Sequence, residues 1–416
     1  MDSGSLKPGW TRVAFGDVVR QVRERVDPST AGLERYVAGE HMDTDDLRLR
    51  RWGTVGDGYL GPAFHARFRP GQVLYGSRRT YLRKVAVADF EGVTANTTFV
   101  IETRDPNLLL PTLLPFIMQT EAFHEHSIKK SKGSVNPYVN FSDIAAYEFA
   151  LPPLDEQRRI ATLLASVDVC RESLRGALDH LQAVEHAFLL RAFGEYGSCP
   201  RDATLVRLSD VAEVRQGLAK GRRADAATTT RPYLRVANVE DGRLNLREVK
   251  EIVVRRSDVD RYTLRRGDVL MTEGGDLDKL GRGTVWQDEV PGCLHQNHVF
   301  AVRTDSSRLD PQYLAAIARS HYGRSFFLLH AKRTSNLASV NKGEVSSFGL
   351  PMRPWAVQRA WLLDYQLFTT TAVAMRTRRA VLLKMKEVLL RDLTPLDEAA
   401  RPAQPWSPAQ HGGSGI

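Results

Sequence analysis

Several groups of residues have types and spacings that could do chemistry. Asn136-Pro137-Tyr138-Val139 sets an amide beside a rigid ring and a phenol, a set that could hold an exocyclic amino group and stack on a flipped base. Cys293, His295 and His298 are metal-ligand types, but a structural zinc needs four ligands and no paired Cys or His group stands nearby, so no metal is expected. His41, Asp43, Asp45 and Asp46 form an acidic cluster of the kind that attracts Mg²⁺. They lack a lysine and a core-strand setting, and read as a solvated turn. Gly281-Arg282-Gly283 is too short for a nucleotide loop. With Lys279 and Arg282 it suits a loop lying against phosphates through backbone N–H groups.

The widest signal is basic. In the first half the clusters are Arg78, Arg79, Tyr81, Arg83 and Lys84, then Lys129, Lys130, Ser131 and Lys132. In the second they are Lys220, Arg222 and Arg223, then Lys279 and Arg282, then Lys332, Arg333, Ser335 and Asn336. Net charge is +9, from 58 Lys and Arg against 49 Asp and Glu, which favours an anionic partner, nucleic acid first. Lysine and arginine would bind phosphates, and Arg, Asn and Ser could read base edges. Asn136 is expected in a loop reaching the DNA backbone, not in catalysis. No glycine-rich loop after a strand would hold S-adenosylmethionine, and the matching place in the second half reads Asn336-Leu337-Ala338-Ser339.

The elements that must position these residues occur twice. Gly71–Leu74 matches Gly267–Leu270, Asn96–Val100 matches Asn297–Ala301, and Val139-Asn140 matches Val340-Asn341. The Lys129 and Lys332 clusters fall just before the last pair. Each half then runs into a long helix. Ile160, Val167, Leu174, Leu181 and Phe188 recur every seventh residue, and a shift of 201 gives Trp361, Phe368, Met375, Leu382 and Leu389, all apolar. Gln157 falls on Gln358 at the same shift. A sustained seam of this kind predicts two helices packing on each other. The other seam column, Leu164, Arg171, Leu178, Glu185 and Ala192, holds two charges and is expected to be weaker. Strands are expected at Val73–Tyr75, Val85–Ala88, Thr98–Ile101, Ile252–Val254, Val269–Met271 and Val299–Val302, with short helices at Leu109–His126 and Gln312–His330.

The expected fold class is α+β: two tandem mixed α/β domains, each followed by a long helix, the helices pairing as an antiparallel coiled coil with pseudo-twofold symmetry. Boundaries fall at residues 1–150 and 205–350 for the domains and 151–193 and 351–393 for the helices. A linker spans 194–204, and 394–416 reads as a disordered tail. A helix of about 35 residues is roughly 50 Å long at ~1.5 Å per residue. Two globular units held at its ends could read two half-sites with an unread gap between them. No apolar run reaches the ~18 residues that span a bilayer. The opening MDSGSLKPGWTRVAF lacks a signal peptide's apolar core, and the three cysteines imply no disulfide framework, so a cytoplasmic protein is expected.

Pro152–Ile160 (PPLDEQRRI) resembles the start of the central helix in specificity subunits of Type I restriction-modification systems. Leu74–Phe90 resembles part of the first target-recognition domain of that family, and Glu273–Trp286 and Gln296–Arg303 resemble segments of the second. The resemblance covers roughly residues 10–393. The second helix start, Pro351–Gln358, departs from the pattern, with Val357 where the first has Glu156. The resemblance implies a non-catalytic subunit that recognises a bipartite, asymmetric, gapped sequence in double-stranded DNA. It also implies that the chain recruits two adenine-methylating modification subunits, which would hold S-adenosylmethionine, and that a restriction subunit joins them. Two other readings stay open: a stand-alone methyltransferase or nuclease, and a protein scaffold with no sequence preference on DNA.

Overall fold

A computed structural model describes residues 6–58, 60–219, 227–275, 280–281, 283–333 and 338–393. The expected tail at 394–416 lies outside them. The chain forms two compact units, and the division falls inside both long helices. The first unit takes residues up to Leu174 and those from Arg378 on, and the second takes Arg175–Thr377.

Both units are mixed α/β and share a plan. In the first, an antiparallel sheet runs in the order Val19–Val22, Thr98–Thr103, Val73–Gly76, Val85–Val87. The second repeats it as Ala212–Gln216, Val299–Thr304, Val269–Thr272, Gly283–Val285. A further sheet in each contains one parallel pair, Tyr36 beside Val93 and Tyr233 beside Leu294. A two-stranded ribbon joins the entry segment to the segment before each long helix, Thr11–Ala14 with Glu148–Leu151 and Thr204–Arg207 with Gly349–Met352. Central strands such as Val73–Gly76 and Val269–Thr272 are buried on both faces, which is why they read as apolar runs without alternation.

The two helical stretches expected before the ribbon each break in two: Leu114–Ile117 and Glu121–Lys130, then Pro311–Arg319 and His321–His330. The break is a cap. Thr120 Oγ1 accepts from Phe123 N–H and Ser320 Oγ from Gly323 N–H, each at 3.3 Å, satisfying a donor of the new first turn.

The long helices are Leu154–Phe193 and Trp355–Arg391. In the first unit Ile160 and Leu164 share a core with Leu389, Leu390 and Leu393. Asp168 takes the nearly buried Lys386 ammonium at 2.7 and 2.9 Å. In the second unit Phe193 packs on Trp361 at 5.2 Å and Phe188 on Phe368 at 5.1 Å, so the segments there run antiparallel. The second seam column is not the weaker one. Leu164, Leu178 and Ala192 are buried, as are Ile160 and Val167 of the first column, whose Leu174, Leu181 and Phe188 are half-buried. The two charges in it are partnered: Arg171 by Asp168, and Glu185 by Arg319 and Tyr365.

Both helices start on a proline and are fixed by the same glutamine. Gln157 N–H donates to Pro153 O and Gln358 N–H to Pro354 O. Glu156 bonds Arg159 one turn on instead of capping the helix, so Val357 at the matching place removes no cap.

Candidate nucleic-acid interface

The basic residues of the first half part into two sets. Arg83 pairs with Glu121 and with Asp45 at 3.5 Å, and Lys84 donates to Gly39 O. Lys132 meets Asp143 at 3.1 Å, and Ser131 Oγ closes the preceding helix on Ile128 O. The Asp143 carboxyl is held below its usual pKa, first by the Asn140 N–H and then by Lys132. These side chains are engaged in holding the unit together. Arg78, Arg79, Tyr81, Lys129, Lys130 and Asn136 are exposed.

The path after strand Val73–Gly76 presents Arg78 and Arg79. Ser77 N–H donates to Thr97 O at 2.9 Å, and Val139 N–H to Ser77 O at 2.9 Å. Arg79 and Arg83 take left-handed φ of 50° and 52° on either side of the turn Thr80–Leu82. Such angles are uncommon outside glycine and give the chain a sharp outward turn here. Tyr138 is bridged by Arg78 on one side and Lys132 on the other. The Arg78 guanidinium lies 6.0 Å from the Tyr138 ring centre.

Beside this turn is an open cavity of about 410 Å³, rimmed by Gln21, Arg23, Arg78, Asn96, Asn140 and Ser142 over a floor that includes Phe99 and Val139. The rim combines guanidinium, amide and hydroxyl groups, the donors and acceptors that match base edges and phosphates. Of these residues only Arg78 was singled out from the sequence. The others come from three separate stretches of the chain, and apart from Arg23 they are uncharged. The match of Asn96–Val100 with Asn297–Ala301 was the available signal.

The second unit builds the same turn with other side chains. Glu273 N–H donates to His298 O at 3.0 Å and Val340 N–H to Glu273 O at 2.8 Å, the bonds made by Ser77 and Val139 in the first. Gly274 pairs with Ser339 and Ser339 with Lys332, as Arg78 pairs with Tyr138 and Tyr138 with Lys132. Arg78 therefore has no basic counterpart. A Cβ at Gly274 would sit 2.6 Å from Ala338 O, too close for any side chain without a backbone shift. One residue earlier, where the first unit has Ser77, stands an acid: His298 Nδ1 donates to Glu273 Oε2 at 2.6 Å, and Asn297 Nδ2 lies 3.3 Å from His298 Nε2. Lys332 and Arg333 are exposed nearby. Lys220, Arg222, Arg223, Lys279, Arg282, Ser335 and Asn336 lie outside the described residues.

The metal-like and acidic groups have other uses. Cys293 is buried and its thiol is pushed up to about 12 by burial, while His295 bonds Val299 O at 2.6 Å and is held neutral by burial. His298 turns to Glu273 instead of joining them, and among the described residues no three such ligands converge. The acids expected in a solvated turn are ion-paired: Asp43 with Arg51, Asp45 with Arg83, and Asp46 with Arg50. Arg50 also reaches Glu172 of the first long helix at 2.6 and 2.8 Å. No helix among the described residues is long and apolar enough to cross a membrane.

Residues 57–183 match the Type I restriction modification DNA specificity domain. The putative Type I restriction enzyme MjaX specificity subunit of Methanocaldococcus jannaschii is 22% identical over 48% of this chain and 47% of its own. The EcoDI specificity subunit of Escherichia coli is 25% identical over 45% and 42%, and the EcoKI specificity subunit of E. coli K12 is 25% identical over 58% and 56%. The matched segments thus span about half the length of these relatives. Two solved structures share the fold. A chain from a study of Type I restriction-modification complex assembly and conformational transition has a TM-score of 0.56 at 19% identity, over 94% of this chain and 99% of that one. The Type I S subunit of M. genitalium has a TM-score of 0.58 at 13% identity, over 94% and 98%. Over residues 57–183 the chain is thus similar to the DNA specificity domain of Type I restriction-modification specificity subunits, and its fold is theirs.

Proposed function

We propose that this chain is the sequence-reading subunit of a restriction-modification complex. It recognises a bipartite, asymmetric, gapped site in double-stranded DNA, one part per unit, and catalyses nothing itself. It brings two adenine-methylating modification subunits to that site, and a restriction subunit joins them. S-adenosylmethionine is held by the modification subunits, and the complex works in the cytoplasm. The exposed candidates Arg78, Arg79, Tyr81, Lys129, Lys130, Asn136, Lys332 and Arg333 supply contacts to DNA, with Gln21, Arg23, Asn96, Asn140 and Ser142 at the first unit's cavity. The supporting observation is the repeated turn, in which one backbone frame carries Ser77, Arg78 and Tyr138 in one unit and Glu273, Gly274 and Ser339 in the other. Equal frames with unequal side chains are what two different half-sites require.

The test is long-read methylome sequencing of a host expressing the chain with its modification subunit, against a host expressing that subunit alone. Methyl-adenine at a new, asymmetric, gapped motif only in the first host is the expected result. Unchanged methylation with an assembled complex would sink the proposal in favour of a scaffold.

Arg78→Ala should weaken binding of the assembled complex to its own site by about 1–3 kcal/mol, the size of a good base contact. Anisotropy titrations over a salt series would measure it. A loss equal on all sequences, with a salt slope lower by about one, would make Arg78 a phosphate contact instead.

A further inference from the structure

We propose that Glu273 gives the second unit its preference for cytosine at one position, one carboxylate oxygen accepting a hydrogen bond from the cytosine N4 amino group in the major groove. The proposal rests on the DNA-reading function above.

Glu273 holds the place of Ser77, which lines the first unit's cavity, and makes the same two backbone bonds. Its carboxylate is held in place but not consumed. Oε2 takes His298 Nδ1 at 2.6 Å, and among the described residues no hydrogen bond is made by Oε1. The side chain is 22% exposed, which leaves it open to a partner outside the protein. Exposed Lys332 and Arg333 lie on the small sheet that starts at the next residue, Gly274, which suits this surface to lie against phosphates. An acid in such a surface is repelled by the DNA backbone. It is offset where the carboxylate meets a donor on a base edge. In the major groove only cytosine N4 and adenine N6 donate. Adenine sets its N7 acceptor beside N6, which a carboxylate opposes, whereas cytosine N4 has a C–H neighbour. Guanine and thymine present only acceptors there, apart from the thymine methyl.

The experiment is the same methylome comparison with Glu273→Ala and Glu273→Gln, each in the complex with the modification subunit and checked for assembly by co-elution. The expected wild-type motif contains a C·G pair in one half-site at which Glu273→Ala loses preference roughly tenfold or more, as for one good base contact. Every other position, including the whole second half-site, stays as it was. Glu273→Gln, which presents an acceptor and a donor together, should admit adenine at that position. Glutamine has the shape of glutamate, so it decides the matter if the alanine variant fails to assemble. A wild-type motif that survives both substitutions, or changes at a position that is not C·G, overturns this assignment alone. No motif from the wild-type complex overturns the DNA-reading function with it.

Discussion

Arg319→Met is expected to lower the unfolding free energy of the second unit by about 3–5 kcal/mol, the cost of leaving a buried ion pair with one partner. Arg319 sits at the end of helix Pro311–Arg319 and is 16% exposed. It reaches Glu185 of the first long helix at 3.0 Å, the Tyr365 hydroxyl of the second at 2.7 Å, and Asp241 at 3.1 Å. Burial works against its charge, but Tyr365, Asp241 and Glu185 outweigh that and hold its pKa above the usual value. Burial and the neighbouring Glu185 raise the Tyr365 pKa far enough to keep the phenol protonated, so it donates to Glu185 Oε1 at 2.7 Å. Removing the guanidinium leaves Glu185, 13% exposed, with that phenol as its one hydrogen-bond partner among the described residues. Tyr365→Phe removes two hydrogen bonds, one from Arg319 and one to Glu185, but leaves the ion pair, and should cost about 1–3 kcal/mol. Urea unfolding would rank the two. Equal effects, or less than about 1 kcal/mol for Arg319→Met, would mean that the acid stays hydrated.

Gln157→Ala and Gln358→Ala should each cost about 3 kcal/mol, because each strands three backbone groups, buried or part-buried, at about 1–3 kcal/mol for a buried one. Gln157 Oε1 accepts Leu110 N–H at 2.9 Å, and its Nε2 donates to Leu108 O at 2.9 Å and Pro152 O at 2.8 Å. Gln358 repeats the set with Asp310 N–H at 3.0 Å, Arg308 O at 2.9 Å and Arg353 O at 2.8 Å. Both side chains are almost wholly buried. Glutamate at either place should do more harm than alanine, since a carboxylate would face two carbonyls. Hydrogen exchange separates the pair: Gln157→Ala should speed exchange near Leu110 and leave Asp310 alone, and Gln358→Ala the reverse. Unchanged exchange at the local amide would show that water replaces the glutamine.

The repeat made much of the fold legible. A seven-residue period, a glutamine at a fixed shift and matched strand segments mark two mixed α/β units with long helices. The sequence reading missed the partners that answer a charge, whether one helical turn away, as Asp168 is for Arg171, or far along the chain, as Arg319 is for Glu185. Arg171 and Glu185 looked like weak points in a seam, yet Asp168 and Arg319 pair with them, Tyr365 donates to Glu185, and Leu164, Leu178 and Ala192 of that column are buried. Arg83, Lys84 and Lys132 looked like binding cations, yet Glu121, Gly39 O and Asp143 take them. A basic run records charge but not whether an acid answers it. The amides at the cavity were hidden for the opposite reason: Gln21, Asn96 and Asn140 are uncharged and separated, and only the sheet brings them to one rim.

The sharing of both helices between the units sets the order in which they can be completed. Asp168 and Lys386 are 218 residues apart, and Ile160 and Leu164 are covered in part by Leu389, Leu390 and Leu393. The second unit is one uninterrupted run, Arg175–Thr377. On the ribosome, everything it needs emerges before the segment that closes the first. The unit that begins first therefore finishes last. At ~5–20 residues per second, its first helical segment waits about 10–40 s with apolar residues uncovered.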